Sequence, residues 1–190
     1  MKKGLIIWFF SGFFLMFTGC ASLKGTDEEK TLETLKTAEE LQLLSHGLPE
    51  SSYTASSYLT WANPPSVAKF AFDGDEETAW AMGPDYTNSW LMVDLGKDCK
   101  IVKTVIIGEK RFLSEAYFQY KIEVSSDKKN WTIFVDKTKN TEVAGPSGYT
   151  DMGEAVGRYV RLTYTGVKEP KDWYWPVVCE FKVYGVPLEK

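Results

Sequence analysis

From residue 49 onward the chain is a series of short alternating runs, each closed by a polar turn, with no long helical period between them. Alternation at period two puts one face of a strand on a core and the other in water. Trp90-Leu91-Met92-Val93-Asp94-Leu95 ends at Gly96, and Ile101-Val102-Lys103-Thr104-Val105-Ile106-Ile107 follows a short polar turn. Tyr120-Lys121-Ile122-Glu123-Val124 passes through a polar turn at 125–130 into Trp131-Thr132-Ile133-Phe134-Val135. Residues 159–164 and 177–184 complete the set. Short strands separated by turn clusters predict an all-β sandwich. Roughly 140 residues are enough for a two-sheet core, and the sequence carries no internal repeat.

The amino-terminal part reads differently. Met1-Lys2-Lys3 is basic, an apolar run follows from Leu5 to Phe17, and Thr18-Gly19-Cys20 closes it. Residues 1–19 have the layout of a secretory signal and are too short for a stable membrane span. The small residue before Cys20 resembles the bacterial lipobox, which implies acylation of Cys20 as the first residue of the mature chain. At about 0.8 kcal/mol per buried methylene, two or more acyl chains give lasting attachment. The protein is thus expected to be exported and membrane-anchored, at the cell surface or the periplasmic face. Residues 20–47 hold no aromatic residue and open polar, as suits a tether. Leu32, Leu35, Ala38, Leu41 and Leu44 fall at helical spacing, predicting a short amphipathic linker helix stopped by Gly47. The β domain is expected to run from 48 to 190.

Charge and cysteine content narrow the partners. The sequence has 22 basic and 26 acidic side chains, and loss of Lys2 and Lys3 moves the balance from −4 to −6. Nucleic acid and anionic lipid need clustered Lys and Arg, so neither is an expected partner. Cys99 and Cys179 remain after Cys20; two cysteines make no disulfide framework, and Cys179 sits in an apolar run, so the reading leans to unpaired thiols. GxSxG, HExxH, P-loop and dinucleotide patterns are absent, and the one histidine, His46, lies in the linker, away from any nucleophile it could serve. The chain is therefore read as a binding protein and not an enzyme.

Five sequence blocks in order carry a family resemblance. They are Phe72-Asp73-Gly74-Asp75-Glu76-Glu77-Thr78-Ala79-Trp80, then residues 90–96, then residues 120–127 with Asn130-Trp131, then Arg158-Tyr159-Val160-Arg161-Leu162, and finally residues 175–185. Over residues 49–187 the set resembles the discoidin or coagulation factor V/VIII type C domains and the bacterial family 32 carbohydrate-binding modules. The resemblance implies an eight-stranded jelly-roll β-sandwich of the galactose-binding-like type. It also implies ligand-binding loops at one end of the sandwich and a structural calcium nearby.

Asp73-Gly74-Asp75-x-x-Thr78 offers two carboxylates, a hydroxyl and a glycine within six residues. Calcium takes six to eight oxygens of this mixed kind, although the segment alone could equally be an Asx-type turn. The resemblance implies calcium held by the Phe70 carbonyl, the Asp73 carboxylate, the Asp75 backbone, Thr78, the Cys179 carbonyl and the Glu180 carboxylate. Glu180 adds its own argument: a carboxylate among Val177, Val178, Phe181 and Val183 needs a cation or hydrogen bonds. Trp80, Trp90 and Trp131 match core tryptophans of the family, and Trp175 the structural tryptophan before the last strand.

Trp173 and Tyr174 fall in the preceding loop, where aromatic faces can stack on sugar rings or form an exposed packing cluster. Arg111 matches an arginine that sugar-binding members place in the loop after strand 101–107, and Phe112 adjoins it. Trp61 and Tyr86 are assigned to other loops at the same end. The chain departs from many sugar-binding members in having no histidine in these loops, so the usual hydroxyl-reading set is incomplete. The functional expectation is a lipid-anchored carbohydrate-binding module with a structural calcium. The alternative is a surface module that docks a protein partner through the same loops.

Overall fold

Nine strands carry the described part of the fold in the computed structural model: β1 Gln42–Leu43, β2 Tyr53–Ala55, β3 Trp80–Ala81, β4 Trp90–Ile107, β5 Tyr117–Ser125, β6 Thr132–Lys137, β7 Tyr149–Lys168, β8 Val177–Val178 and β9 Glu180–Pro187. The structure describes residues 41–84, 87–110, 116–145, 147–168 and 175–189. Two short 3-10 segments, Glu50–Ser52 and Ala68–Ala71, lie among them.

The larger sheet runs β1-β9-β4-β7-β5-β6, with β2 also paired on β4, and β3 pairs β8 in a separate two-stranded ladder. The centre of the design is the antiparallel ribbon of β4 and β7. Trp90 to Asp94 pair with Thr163 to Tyr159, and Cys99 to Ile106 pair with Gly157 to Tyr149. Between these stretches the register shifts, Gly96 takes φ +79°, and the Asp94 carboxylate accepts the Gly96 N–H at 2.9 Å. Such a bulge bends a strand and increases its twist without ending it. The polar turn expected between two strands is thus an irregularity inside one long strand. On one side of the bend the ribbon is flanked by β2 and β5; on the other it is flanked by β9. The ribbon belongs to both layers.

Inward residues of both layers join one core cluster: Leu91, Val93, Ile122 and Leu162 from one side, Ile101, Ile106, Phe181 and Val183 from the other. Tyr53 stacks on Phe72 with centroids 4.6 Å apart, and Phe118 meets Tyr164 edge-on at 5.1 Å. Buried Tyr120 gives its hydroxyl proton to Asp151 at 2.6 Å, so its polar end has a partner.

Several expectations are corrected. Trp80 is fully buried, but Trp90 and Trp131 are only half-buried. Trp131 lies outside the core because the Arg161 guanidinium covers its ring at 3.9 Å, a cation–π contact, while its indole N–H donates to the Lys128 carbonyl. The last run is two strands, β8 and β9, broken at Cys179. At the other end of the chain, Leu41 and Leu44 are not helical. Gln42 and Leu43 pair with Gly185 and Tyr184 of β9, and Leu44 N–H donates to the Val183 carbonyl. Open edge groups on β9 hold this segment extended, overriding its helical spacing. The rest of the expected linker helix, and Cys20 with the signal, lie outside the described residues. Cys99 and Cys179 are both buried and unpaired, as the sequence suggested. Burial pushes both thiols up, Cys179 to about 12.

Candidate functional site

Two constructions stand out, one at the acidic turn and one at the loops preceding β4.

The turn follows the 3-10 segment that ends at Ala71. Asp73 Oδ1 accepts the Asp75 N–H and Asp75 Oδ1 accepts the Glu77 N–H, both at 3.0 Å. These are two successive Asx turns, with Gly74 at φ +83° between them. The chain folds back so that Thr78 Oγ1 lies 2.8 Å from Asp73 Oδ2, 3.0 Å from the Asp75 carbonyl and 3.3 Å from the Phe70 carbonyl. A hydroxyl has one proton to give. Three acceptor oxygens around it leave more oxygen lone pairs than hydrogens, which suits an incoming hard cation.

Glu180 opens β9 and is fully buried. Its Oε1 accepts the Gly74 N–H at 2.8 Å, so the turn and the last strand are joined, as the sequence implied. The other oxygen, Oε2, lies 2.6 Å from His46 Nε2. The carboxylate can only accept, which places the proton on Nε2. Nδ1 of the same ring is 2.9 Å from Ser45 Oγ, and Ser45 is itself held by the Phe181 carbonyl and the Val183 N–H. His46 is therefore part of the domain, not of a free linker. Sequence reading missed it because a lone histidine carries no spacing signal. The buried Glu180 did signal that some partner must exist.

The expected calcium set is thus brought together in part. Phe70, Asp73, Asp75 and Thr78 contribute oxygens around one point, whereas both Glu180 oxygens are engaged by protein donors. Cys179 is anchored through its N–H on the Ile107 carbonyl at 2.8 Å. Among the described residues no three His, Cys, Asp or Glu side chains gather as a metal-ligand group. The turn offers one carboxylate, one hydroxyl and two carbonyls, a calcium-like mixture and not a transition-metal one.

At the other place, residues 56–66 form a loop stapled on all sides. Ser56 N–H donates to the Trp90 carbonyl and Ser56 Oγ accepts the Trp90 N–H, both at 2.9 Å. Ser57 accepts from Gly83 N–H and from the Trp80 indole, and Leu59 N–H donates to the Ala81 carbonyl. Beyond these staples Trp61 stands 75% exposed, and the neighbouring Tyr58, which the sequence reading did not single out, is 43% exposed. Ser56 and Ser57 also wall a cleft of about 480 Å³, closed by Gly83, Thr87, Asn88 and Ser89. Hydroxyls and an amide dominate its polar lining. Trp175 reaches the same region, its indole donating to the Met82 carbonyl at 2.7 Å. A second recess of about 430 Å³ lies beside Glu76, Glu77, Glu109 and Lys110. There Lys110 is already paired with Glu76 at 3.0 Å and Glu77 at 4.0 Å. Tyr86, Arg111, Phe112, Trp173 and Tyr174 lie outside the described residues.

The chain belongs to the F5/8 type C domain family, whose model matches residues 52–181. Coagulation factor VIII of Sus scrofa is 32% identical over 157 residues, which is 76% of this chain but 7% of that protein. The chain thus spans a small fraction of this relative's length. Among solved structures, it is similar to chitosan-binding module 1 of a chitosanase/glucanase from Paenibacillus sp. IK-5. That match has a TM-score of 0.56 and 28% identity, and covers 76% of this chain and 99% of the module. A pectin-binding carbohydrate-binding module aligns with a TM-score of 0.56 at 25% identity, over 69% of this chain and 87% of the module.

Proposed function

We propose that the protein is a carbohydrate-binding module, held at a membrane by acylated Cys20, that captures glycans through the loops preceding β4. The observation that carries this reading is Trp61, an indole left 75% exposed on a loop otherwise fastened by hydrogen bonds. An exposed indole on a fastened loop is a ready platform for the C–H face of a sugar ring. The cleft walled by Ser56 and Ser57 of the same loop supplies hydroxyl and amide groups suited to sugar hydroxyls, within the usual size range of ligand pockets. Similarity to chitosan-binding and pectin-binding modules supports the same reading. The acidic balance of the chain favours neutral or amino sugars over uronates, which would be repelled.

Calcium belongs to this proposal as a scaffold. It would draw on the Phe70 and Asp75 carbonyls, the Asp73 carboxylate and the Thr78 hydroxyl, with Glu180 and the Cys179 carbonyl completing the set. Its role would be to hold the turn rigid.

Affinity electrophoresis of the soluble domain in gels containing chitosan, pectin or neutral polysaccharides tests the sugar reading. Retardation by at least one polymer, reduced about two- to tenfold in apparent affinity by Trp61→Ala, is expected, since one stacked aromatic is worth roughly 0.5–1.5 kcal/mol. Uniform mobility in every gel overturns it.

A further inference from the structure

The contact between His46 and Glu180 bears directly on the calcium reading. Glu180 has two oxygens, one on the Gly74 N–H and the other on His46 Nε2. The imidazole also lies over the turn itself: a Cβ added to Gly74 would sit 4.0 Å from His46 Cδ2. Asp73, Gly74 and Asp75 are exposed on the solvent side, so a cation can reach the turn oxygens from water. Each carboxylate oxygen has two lone pairs, but Glu180 is fully buried and already faces the Gly74 N–H and the Nε2 proton. Of these two donors only the imidazole lies outside the turn, so a cation reaching Glu180 from the turn would come in along the direction the imidazole now fills. A dication and a hydrogen-bond donor cannot share that lone-pair direction, because both present positive charge to it.

We propose that calcium and His46 compete for Glu180, so that loading the turn releases the segment that carries His46. This inference rests on the calcium reading above and extends it to the tether. Beyond this contact the segment is fastened by Leu44 N–H on Val183 O, by Ser45 Oγ on β9 and by the Tyr53 hydroxyl, which accepts from Leu48 N–H and donates to the Ser45 carbonyl, with Leu44 and Leu48 packed on the core. It enters the sheet only through the two-residue strand β1. The metal state of the turn is thereby coupled to how firmly the chain leading to the domain is docked on β9. The coupling is reciprocal: whatever holds residues 42–48 on the sheet weakens calcium binding by the same factor.

Calorimetric titration of calcium chloride into the wild-type domain and into His46→Ala, at one fixed neutral pH, tests the competition. The variant is expected to bind calcium at least about tenfold more tightly, the worth of one hydrogen bond to a charged group. Hydrogen exchange on the wild-type domain provides a reading that needs no variant: calcium should raise deuterium uptake over residues 44–48 while β4 and β7 stay protected. Equal calcium affinity in the two proteins, or unchanged or increased protection of 44–48, overturns the competition while leaving the calcium site in place. Failure of both proteins to bind calcium overturns the metal reading and the competition together.

Discussion

Asp94 shows how much a single side chain does in this domain. It accepts from Arg158 through two nearly parallel bonds, Nε to Oδ1 at 2.6 Å and Nη2 to Oδ2 at 2.8 Å, and also from the Gly96 N–H that shapes the β4 bulge. The Arg158 hydrogen bond, more than any other influence, holds the Asp94 carboxyl below the usual aspartate range. A lowered folded-state pKa contributes stability that is complete above the ordinary range near about pH 4 and is lost as pH falls through the folded value. Both side chains are partly exposed, so the contribution is modest. Arg158→Ala should lower the urea midpoint slightly near pH 7, as expected for a partly exposed ion pair. The gap from wild type should narrow as the pH drops toward about 2. A gap that is constant with pH would show that the loss is packing alone. At this scale the sequence was informative where a residue was out of place for its surroundings: Glu180 in an apolar run called for partners. His46 was silent, because nothing around it in sequence indicated that Glu180, far along the chain, would receive it.

Among the elements, β4 was the most instructive. Gly96-Lys97-Asp98 has the composition of a turn, and only pairing with β7 on both sides turns it into a bulge. Such a feature depends on a partner strand, which local propensity cannot supply. The edge strand β1 was hidden for the same reason, since two residues are too few for alternation to register. Its docking depends on close approach at Gly185, where a Cβ would run into the Lys100 carbonyl and fall 3.0 Å from Leu44 Cδ1. Gly185→Ala should therefore push β9 off β4 and lower the melting temperature by about 5 °C or more, the mark of overpacking against backbone. A melt within about 1 °C of wild type would mean that the strands can part freely.

For the whole molecule, the order of five blocks along the chain was sufficient to indicate the sandwich and the family. The ligand-facing loops were less legible, because exposed aromatics obey no core periodicity. Trp61 emerged as an exposed platform only once the staples around it were seen. If calcium scaffolds the turn, chelation by EDTA should lower the melting temperature of the domain by several degrees. Asp73→Ala should melt lower and lose its sensitivity to chelator, since site occupancy stabilises the folded state by mass action. Identical scans of wild type with and without EDTA would rule that scaffold out.

The bent ribbon has one more consequence, for anyone who wishes to rebuild this protein. With β4 and β7 covalently continuous through both faces of the sandwich, neither face is a module that can be cut away or exchanged for a homologue's. Grafting is confined to the segments outside the ribbon. New specificities can be installed there, while the two strands beneath must be inherited whole.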